Sequence, residues 1–493
     1  MCGIAGIFHL ETAKPVDPDR LRKMTDALGH RGPDGSGIWT APGVGLGHRR
    51  LSIIDLEGGA QPMLTPDEAQ ILSFNGEIYN FLEVRAELER LGHQFQTSSD
   101  SEVILFAWRQ WGVDCLKRLN GMFAFAIYDQ RSRQLFLARD RLGVKPLFYA
   151  RVSDGSILFG SELKALLANP LLRRDPNITA VDDYLAFGYV PDQTSLLKGV
   201  KKLAAGHYLL LEQGKPEPES VQYWDMDFSQ RSKGSARDLE EELVELLKQA
   251  VNSRMISDVP LGAFLSGGVD SSAVVALMAE NSRRAVKTCS IGFDQQSLDE
   301  TGYARAIAER FQTDHRERIV ASDDFGLIDT LADHFDEPFA DASALPTYRV
   351  SELARETVTV ALSGDGADEA MAGYRRHVFH HAEERVRGLL PQSFRGPVLG
   401  WLGSVYPKAD WAPRPFRAKS TLLSLARSGP EGYAEAVGVT TPSGRWSVYS
   451  DALQRDLGEY HAEHRMIDLM ENAPAQNGLD QAQYADMKMW LPG

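Results

Sequence analysis

Apolar and polar positions along this chain follow two different rhythms. Up to about residue 211, short apolar runs alternate with turn residues. Residues 2–8, 47–55, 122–128, 134–140, 143–149 and 157–162 each read as a strand, and their close succession predicts an antiparallel arrangement. Residues 74–80 set Asn75-Gly76 between apolar neighbours, a dipeptide that alone predicts a hairpin turn. Residues 103–111 predict a helix, with Asp100 as a candidate N-cap. Beyond residue 236 strands alternate with longer helical periods. Residues 239–255 predict a helix with Leu243, Leu246, Leu247, Ala250 and Val251 on one face. The run 259–265 reads as a buried strand, and 271–280 as a helix presenting Ala273, Val274, Leu277 and Met278 on one side. Residues 285–291, 318–321 and 356–362 predict strands, and 297–311 a helix, the pattern of βαβ units in a parallel sheet. Between the two regimes Gly214, Pro216, Pro218, Ser220, Ser232, Gly234 and Ser235 mark a linker. The expectation is an α/β multidomain chain divided into residues 1–211, a linker at 212–236, and 237–493.

Length agrees, because 493 residues exceed what one core organises. The net charge of −15 and the lack of a Lys/Arg-rich run speak against a nucleic-acid footprint. Any phosphate ligand must therefore be held by local groups and a metal. Cys2, Cys115 and Cys289 are odd in number and far apart, which argues against a disulfide framework and for a reducing, cytoplasmic setting. No window approaches the roughly 18 apolar residues of a membrane span, and the N-terminus does not read as a signal peptide.

Two loops carry anion chemistry. Ser266-Gly267-Gly268-Val269-Asp270-Ser271 joins a strand to a helix. Glycines let the backbone approach a ligand, and the helix N-terminus offers unpaired N–H groups. The competing reading is a tight turn with a polar cap. Ser363-Gly364-Asp365-Gly366-Ala367-Asp368-Glu369 repeats the arrangement with three carboxylates. Ligands of open parallel sheets sit beyond the carboxyl ends of strands, so both loops are expected to face one nucleotide. At the other end, removal of Met1 would leave Cys2 with a thiol and an α-amine in one residue, and the amine can serve the thiol as base. The plainer alternative for Cys2 is a small buried residue on an edge strand.

MCGIAG, HRGPDG, HRRLSIID, FNGEIYN and SSDSE, in that order, resemble the class II glutamine amidotransferase domain, an N-terminal-nucleophile hydrolase. SGGVDSS resembles the pyrophosphate loop of the N-type ATP pyrophosphatases. SGDGADE and the upstream DEPFAD resemble the asparagine synthetase B family, and the likeness spans essentially the whole chain. It implies an αββα sandwich followed by a Rossmann-like ATP-pyrophosphatase domain. It implies Cys2 as nucleophile, Asn75 and Gly76 as the oxyanion hole, and Arg50 (Arg49 as fallback) on the substrate carboxylate. Leu51, Ser52, Ile53, Ile54, Glu77 and Asp100 would complete the glutamine site. Leu265, Ser266, Gly267, Gly268, Asp270, Ser271, Ile291, Ser363 and Gly364 would hold ATP, with Asp270 and Asp368 on Mg²⁺ and Asp365 orienting or deprotonating ammonia. The implied reaction hydrolyses glutamine and passes ammonia to an adenylated carboxylate, aspartate by default. A homodimer is the family expectation.

The resemblance also sets limits. The family continues past MKMWLP into a segment with a catalytic lysine, and Lys488 precedes that motif and is not that lysine. A shortened synthetase half is therefore expected, with apolar surface uncovered from Trp401 onward. Several readings stay open: an acceptor other than aspartate, as in the exopolysaccharide- and exosortase-associated subgroup; a glutaminase or regulatory protein with an inactive synthetase half; and a relative of the tRNA-modifying pyrophosphatases, disfavoured by the acidic charge. Cys2 argues against the β-lactam-forming relatives.

Overall fold

The computed structural model describes residues 1–295, 299–321, 325–407 and 418–492. The first half supplies strands β1 (Gly3–His9), β2 (Gly35–Ala41), β3 (Val44–Arg50), β4 (Met63–Leu64), β5 (Gln70–Ile78), β6 (Gly121–Asp129), β7 (Gln134–Arg139), β8 (Phe148–Arg151), β9 (Ser156–Gly160), β10 (Val200–Lys202), β11 (His207–Glu212) and β12 (Val221–Gln222). They pair antiparallel in two sheets, ordered β10-β8-β9-β1-β3-β2 and β12-β11-β7-β6-β5-β4. Strand residues alternate between faces, so each sheet has two apolar surfaces to cover. Ile4, Phe8, Leu46, Ile71, Tyr128 and Leu137 fill the space between the sheets. The helices Phe81–Arg90 and Asp100–Trp111 close one outer face through Val84, Leu88, Ile104 and Trp108. The helices Pro18–Asp26 and Leu163–Leu167 close the other through Leu21, Met24 and Leu166. Layer order is thus αββα.

The second half is built on β13 (Leu261–Phe264), β14 (Lys287–Phe293), β15 (Asp314–Val320) and β16 (Val360–Leu362), parallel throughout and ordered β15-β14-β13-β16. Ala263 and Leu265 face the helices Val269–Asn281 and Thr301–Phe311, while Phe264 and Cys289 face the helix Ala344–Arg355. Among the described residues no helix is long and apolar enough to cross a membrane.

Several local expectations give way to tertiary context. Asn75-Gly76 makes no turn: β5 runs through it, paired with β6 as Asn75↔Ala124 and Gly76↔Phe123. A two-residue hairpin of the Asn-Gly type needs positive φ at both positions, and neither residue has it. Only the end of the run 143–149 is strand. Upstream of it the Asp140 carboxylate gathers the backbone N–H groups of Leu142, Val144, Lys145 and Phe123 at 3.0–3.1 Å, which wraps the chain into a loop. The N-cap of the helix Asp100–Trp111 is Ser99, not Asp100. On the helix Ala236–Ser253 only Val251 is buried, while Leu243 and Leu246 are exposed, because the helix meets the domain at its C-terminal turns. The strand read at 356–362 shrinks to β16, since the helix Ala344–Arg355 and a turn at Thr357–Val358 occupy its start. Residues 221–222, within the stretch read as linker, pair with β11. Residues 297–298 of the helix read at 297–311 lie outside the described residues. Phe394, Trp401 and Val405 are exposed.

The helix Ile178–Phe187 joins the halves. Its Ala186 and Phe187 pack with Tyr433, Met466, Met470 and Met489 of the second half. Its consecutive buried carboxylates meet partners from the second half. Asp182 accepts from Arg445 Nε (2.9 Å), Tyr449 Oη (2.6 Å) and Ala462 N (3.1 Å), and Asp183 accepts from Tyr460 and Arg465. Arg445 also pairs with Glu463 at 2.7 Å, so loss of Asp182 chiefly strands the Tyr449 and Ala462 donors, at about 1–3 kcal/mol each. Asp182→Ala is expected to lower the stability of the intact chain by that order in denaturant titrations; an unchanged midpoint would show that the Tyr449 and Ala462 donors find other acceptors.

Candidate active site

Strand β5 carries Phe74, Asn75, Gly76 and Glu77 under the N-terminal end of β1, where Cys2 sits. Gly76 is pressed so tightly on β6 that an added Cβ would fall 2.1 Å from the Met122 carbonyl oxygen, so no other residue fits. A cavity of about 70 Å³ lies at this junction. Cys2, Arg50, Leu51, Ile53, Ile54, Asn75, Gly76, Glu77 and Asp100 all line it. Ser52 does not; its N–H donates to Asp34 Oδ2 at 2.9 Å.

The polar groups around Cys2 are held in distinct ways. Leu51 N–H donates to Cys2 Sγ at 3.4 Å, while burial pushes the thiol pKa up. Both amide atoms of Asn75 are buried without a hydrogen-bond partner, a costly condition that a ligand would relieve. Asp100 is buried and accepts from Ile78 N at 3.0 Å, and burial raises its pKa to about 6. Burial, and then the Asp100 charge, raise Glu77 to about 7. Arg50 spends its fork on the neighbouring loop, donating to the carbonyls of Leu56 (2.8 Å), Ile54 (3.4 Å) and Asp55 (2.6 Å). Arg49 pairs with Asp26 at 2.6 Å.

Sequence reasoning missed Lys145 and Gln61, which also line the cavity. Burial lowers the Lys145 ammonium to about 8, and its Nζ lies 3.1 Å from Met1 Sδ. Lys145 reads as one polar residue in an apolar run; only the loop around Asp140, fixed by contacts to β6, turns it toward Cys2. Arg31 was also passed over: its Nε donates to Cys2 O at 2.8 Å and its Nη1 pairs with Glu162 at 2.6 Å.

The second cluster forms because β13 and β16 are parallel neighbours, which sets their following loops side by side. Gly364 touches Asp270: an added Cβ would lie 2.9 Å from the Asp270 Cβ. Gly268 precedes the helix Val269–Asn281 without any side-chain cap, leaving first-turn N–H groups for a ligand. Ser266 Oγ and Ser271 Oγ are 3.0 Å apart, and Gly267 turns the chain at φ +83°. Leu265 is bonded to Cys289 O on β14 at 2.9 Å, which brings Ile291 to the same sheet edge. Asp365 accepts from Ser363 Oγ at 2.9 Å. Asp368 opens the helix Ala367–Met371 and packs on Gly373. Among the described residues no three Asp, Glu, His or Cys side chains converge as a ready metal cage. Lys488 is held by Asp225 at 2.7 Å.

A cavity of about 850 Å³ lies between the two halves. Its wall includes Glu77, Tyr79 and Met122 from the first half and Ser363, Asp365 and Gly366 from the second. Glu77 and Met122 line the Cys2 cavity as well, so they form a partition between the two spaces. Leu265, Ser266, Gly267, Gly268, Asp270, Ser271, Ile291, Gly364 and Asp368 are not on its wall.

Residues 1–224 match the glutamine amidotransferase domain model, and 242–493 match the asparagine synthase model. A Methanocaldococcus jannaschii protein, provisionally named asparagine synthetase (glutamine-hydrolyzing) 2, is 41% identical over 413 residues, covering 79% of this chain and 78% of its own length. The chain belongs to the asparagine synthase family. Two Bacillus subtilis members, asparagine synthetases (glutamine-hydrolyzing) 1 and 3, are 38% and 35% identical, each over 76% of this chain. The chain spans 59% and 63% of those two asparagine synthetases. The smaller cavity falls within the first family domain, the larger one lies between the two, and they meet at Glu77 and Met122.

Glu77 yields a pH test. Its folded pKa of about 7 lies above its ordinary 4.5, so the folded chain binds more protons between those values. Stability therefore declines as pH rises through that window, and the burial penalty is fully felt above pH 7. Glu77→Gln removes a charge penalty on the order of 3 kcal/mol. The variant is expected to unfold at higher denaturant than the parent at pH 8 and to lose that advantage near pH 4.5. Parallel behaviour at both pH values would refute the assignment.

Proposed function

We propose that the chain is an ATP-dependent amidotransferase: glutamine is hydrolysed at Cys2, and the ammonia is delivered to a carboxylate adenylated at the second site, aspartate being the default acceptor. The observation that carries this reading is the partition at Glu77 and Met122, with a nucleophile on one side and Asp365 across the larger cavity. Residues 1–211 and 237–493 are the two catalytic units in this reading, with 212–236 between them. Three free thiols fit a cytoplasmic enzyme, and a homodimer is its proposed assembly.

In the first site, removal of Met1 frees the Cys2 α-amine. The amine takes the thiol proton, and the sulfur attacks the glutamine side-chain carbonyl. Asn75 Nδ2, unpartnered until then, and the Gly76 N–H meet the developing oxyanion. Collapse expels ammonia and leaves a γ-glutamyl thioester, which water cleaves to glutamate. Asp100 and Glu77 offer carboxylates to the substrate ammonium. Arg50 acts on the substrate carboxylate directly or through the 54–56 carbonyls it holds.

In the second site, the uncapped helix start after Gly268 and the hydroxyls of Ser266 and Ser271 cradle the ATP phosphates, while Leu265, Ile291, Ser363 and Gly364 flank the nucleoside. Asp270 has no hydrogen bond or ion pair among the described residues, and with Asp368 it provides the hard oxygen donors that Mg²⁺ prefers. That ion supplies charge neutralisation on the pyrophosphate. Asp365 faces the cavity and is placed to accept a proton from ammonia as it attacks the acyl-adenylate.

The test pairs two assays on the purified chain: glutamate release, and pyrophosphate release with and without aspartate. Cys2→Ala is expected to abolish glutamate release. Asn75→Ala is expected to lower its kcat by about 10²–10³, as for loss of an oxyanion donor. Pyrophosphate that appears only with aspartate supports the default acceptor. Glutamate without pyrophosphate, whatever the carboxylate supplied, would reduce the chain to a glutaminase. Glutamate release that survives Cys2→Ala would remove the nucleophile assignment.

A further inference from the structure

The loop 51–58 forms one side of the Cys2 cavity through Leu51, Ile53 and Ile54, yet it has no helix or strand of its own. Such a segment opens at little cost unless something outside it holds it. Part of the hold is internal. Arg50 binds three of its carbonyls, and Asp55, at φ +50°, uses its carboxylate to accept from Gly58 N (2.8 Å) and Ser98 N (2.7 Å). The rest comes from the other half of the chain. Asp258 N–H donates to Ile53 O at 3.0 Å, and Asp55 N–H donates back to Asp258 Oδ2 at 2.8 Å. Beside this two-way clasp, the Arg254 guanidinium lies 4.1 Å from the centre of the Tyr79 ring, just past Glu77. Arg254 and Asp258 both belong to the short connection between the helix Ala236–Ser253 and β13. That strand begins three residues after Asp258 and ends next to Leu265 and Ser266 of the nucleotide loop.

We infer that Asp258 is a positioning residue that couples the two sites: it holds the glutamine-side loop closed from the root of the strand that carries the nucleotide loop. The inference rests on the reading of the Cys2 cavity as the glutamine site. The physical link is short and stiff. A parallel strand flanked on both sides by β14 and β16 cannot shift its carboxyl end without its amino end. Nucleotide that steadies 265–271 therefore steadies Asp258, and Asp258 steadies Ile53 and Asp55. Asp258 lines neither cavity, so its influence is on loop closure, hence on glutamine KM, and not on the chemistry at sulfur.

Hydrogen exchange on the intact chain reads the clasp without relying on turnover. A hydrogen bond to a charged acceptor shifts a local equilibrium by about tenfold or more. Asp258→Ala is expected to speed exchange of 51–58 by about tenfold, leaving peptides of β6 and β7 unchanged. ATP with MgCl₂ is expected to slow exchange of 265–271 and of 51–58 in the parent, and of 265–271 alone in Asp258→Ala. Asp258→Asn keeps an acceptor oxygen and the backbone N–H, and should restore the response. Asp258→Ser, too short to reach Asp55, gives the same reading as Asp258→Ala if that variant does not fold. In glutamate release Asp258→Ala should raise glutamine KM about tenfold with kcat within twofold. Exchange of 51–58 indifferent to Asp258, or an ATP response that survives Asp258→Ala, overturns the clasp whatever the enzyme turns over. Absence of glutamate release from the parent overturns the glutamine-site reading, while the exchange data still decide the clasp.

Discussion

An amide buried with no partner is the constraint around which the first half is arranged. Asn75 sits in the middle of a paired strand, wholly inaccessible, with neither its nitrogen nor its oxygen satisfied. Leaving such groups unpaired costs about 1–3 kcal/mol each. Nothing in the strand itself makes that tolerable. The apolar layers on either side do, with Phe74, Phe123, Phe125 and Phe136 on one face of the second sheet and Ile71, Ala124 and Tyr128 on the other. The sandwich is thus the source of the strain as well as its support: its layers bury Asn75, and they hold the amide beside Cys2.

Electrostatics around that amide follow from the same enclosure. Glu77 and Asp100 have pKa values raised by burial, and Lys145 and the Met1 amine have theirs lowered, the latter to about 5. Low dielectric drives acids and bases alike toward their neutral forms. A site in which proton-bearing groups lie within reach of physiological pH is suited to moving protons between a thiol, an amine and a leaving ammonia.

Much of this was legible from order and spacing. The strand–glycine–helix junctions at Ser266 and Ser363 announced two loops at one sheet edge, and the parallel pairing of β13 with β16 puts Gly364 on Asp270. What the sequence concealed depends on partners far along the chain. Asn75-Gly76 has the composition of a turn, and only pairing with β6 keeps it extended. The run 143–149 looks like a strand until the carboxylate of Asp140 is seen to collect four backbone donors. Nothing near Asp182 and Asp183 in the sequence marks them as buried; their partners, Arg445 and Arg465, lie more than 260 residues on. Asp258 reads as one polar residue before an apolar run, and its meaning lies in a loop 203 residues earlier.

The partition between the cavities then takes on a physical logic. In the proposed reaction, ammonia freed beside Cys2 would cross Glu77 and Met122 to reach Asp365. A fully ionised carboxylate there would hold a cation, and an apolar wall would offer no foothold to a polar solute. Glu77, poised at about 7, is divided between charged and neutral forms at working pH, while Met122 supplies a flexible, weakly polar flank. In the proposed reaction such a threshold would neither trap ammonium nor open a wide path for water. Glu77, whose burial lowers the stability of the fold, thus occupies one of the two positions shared by both cavities.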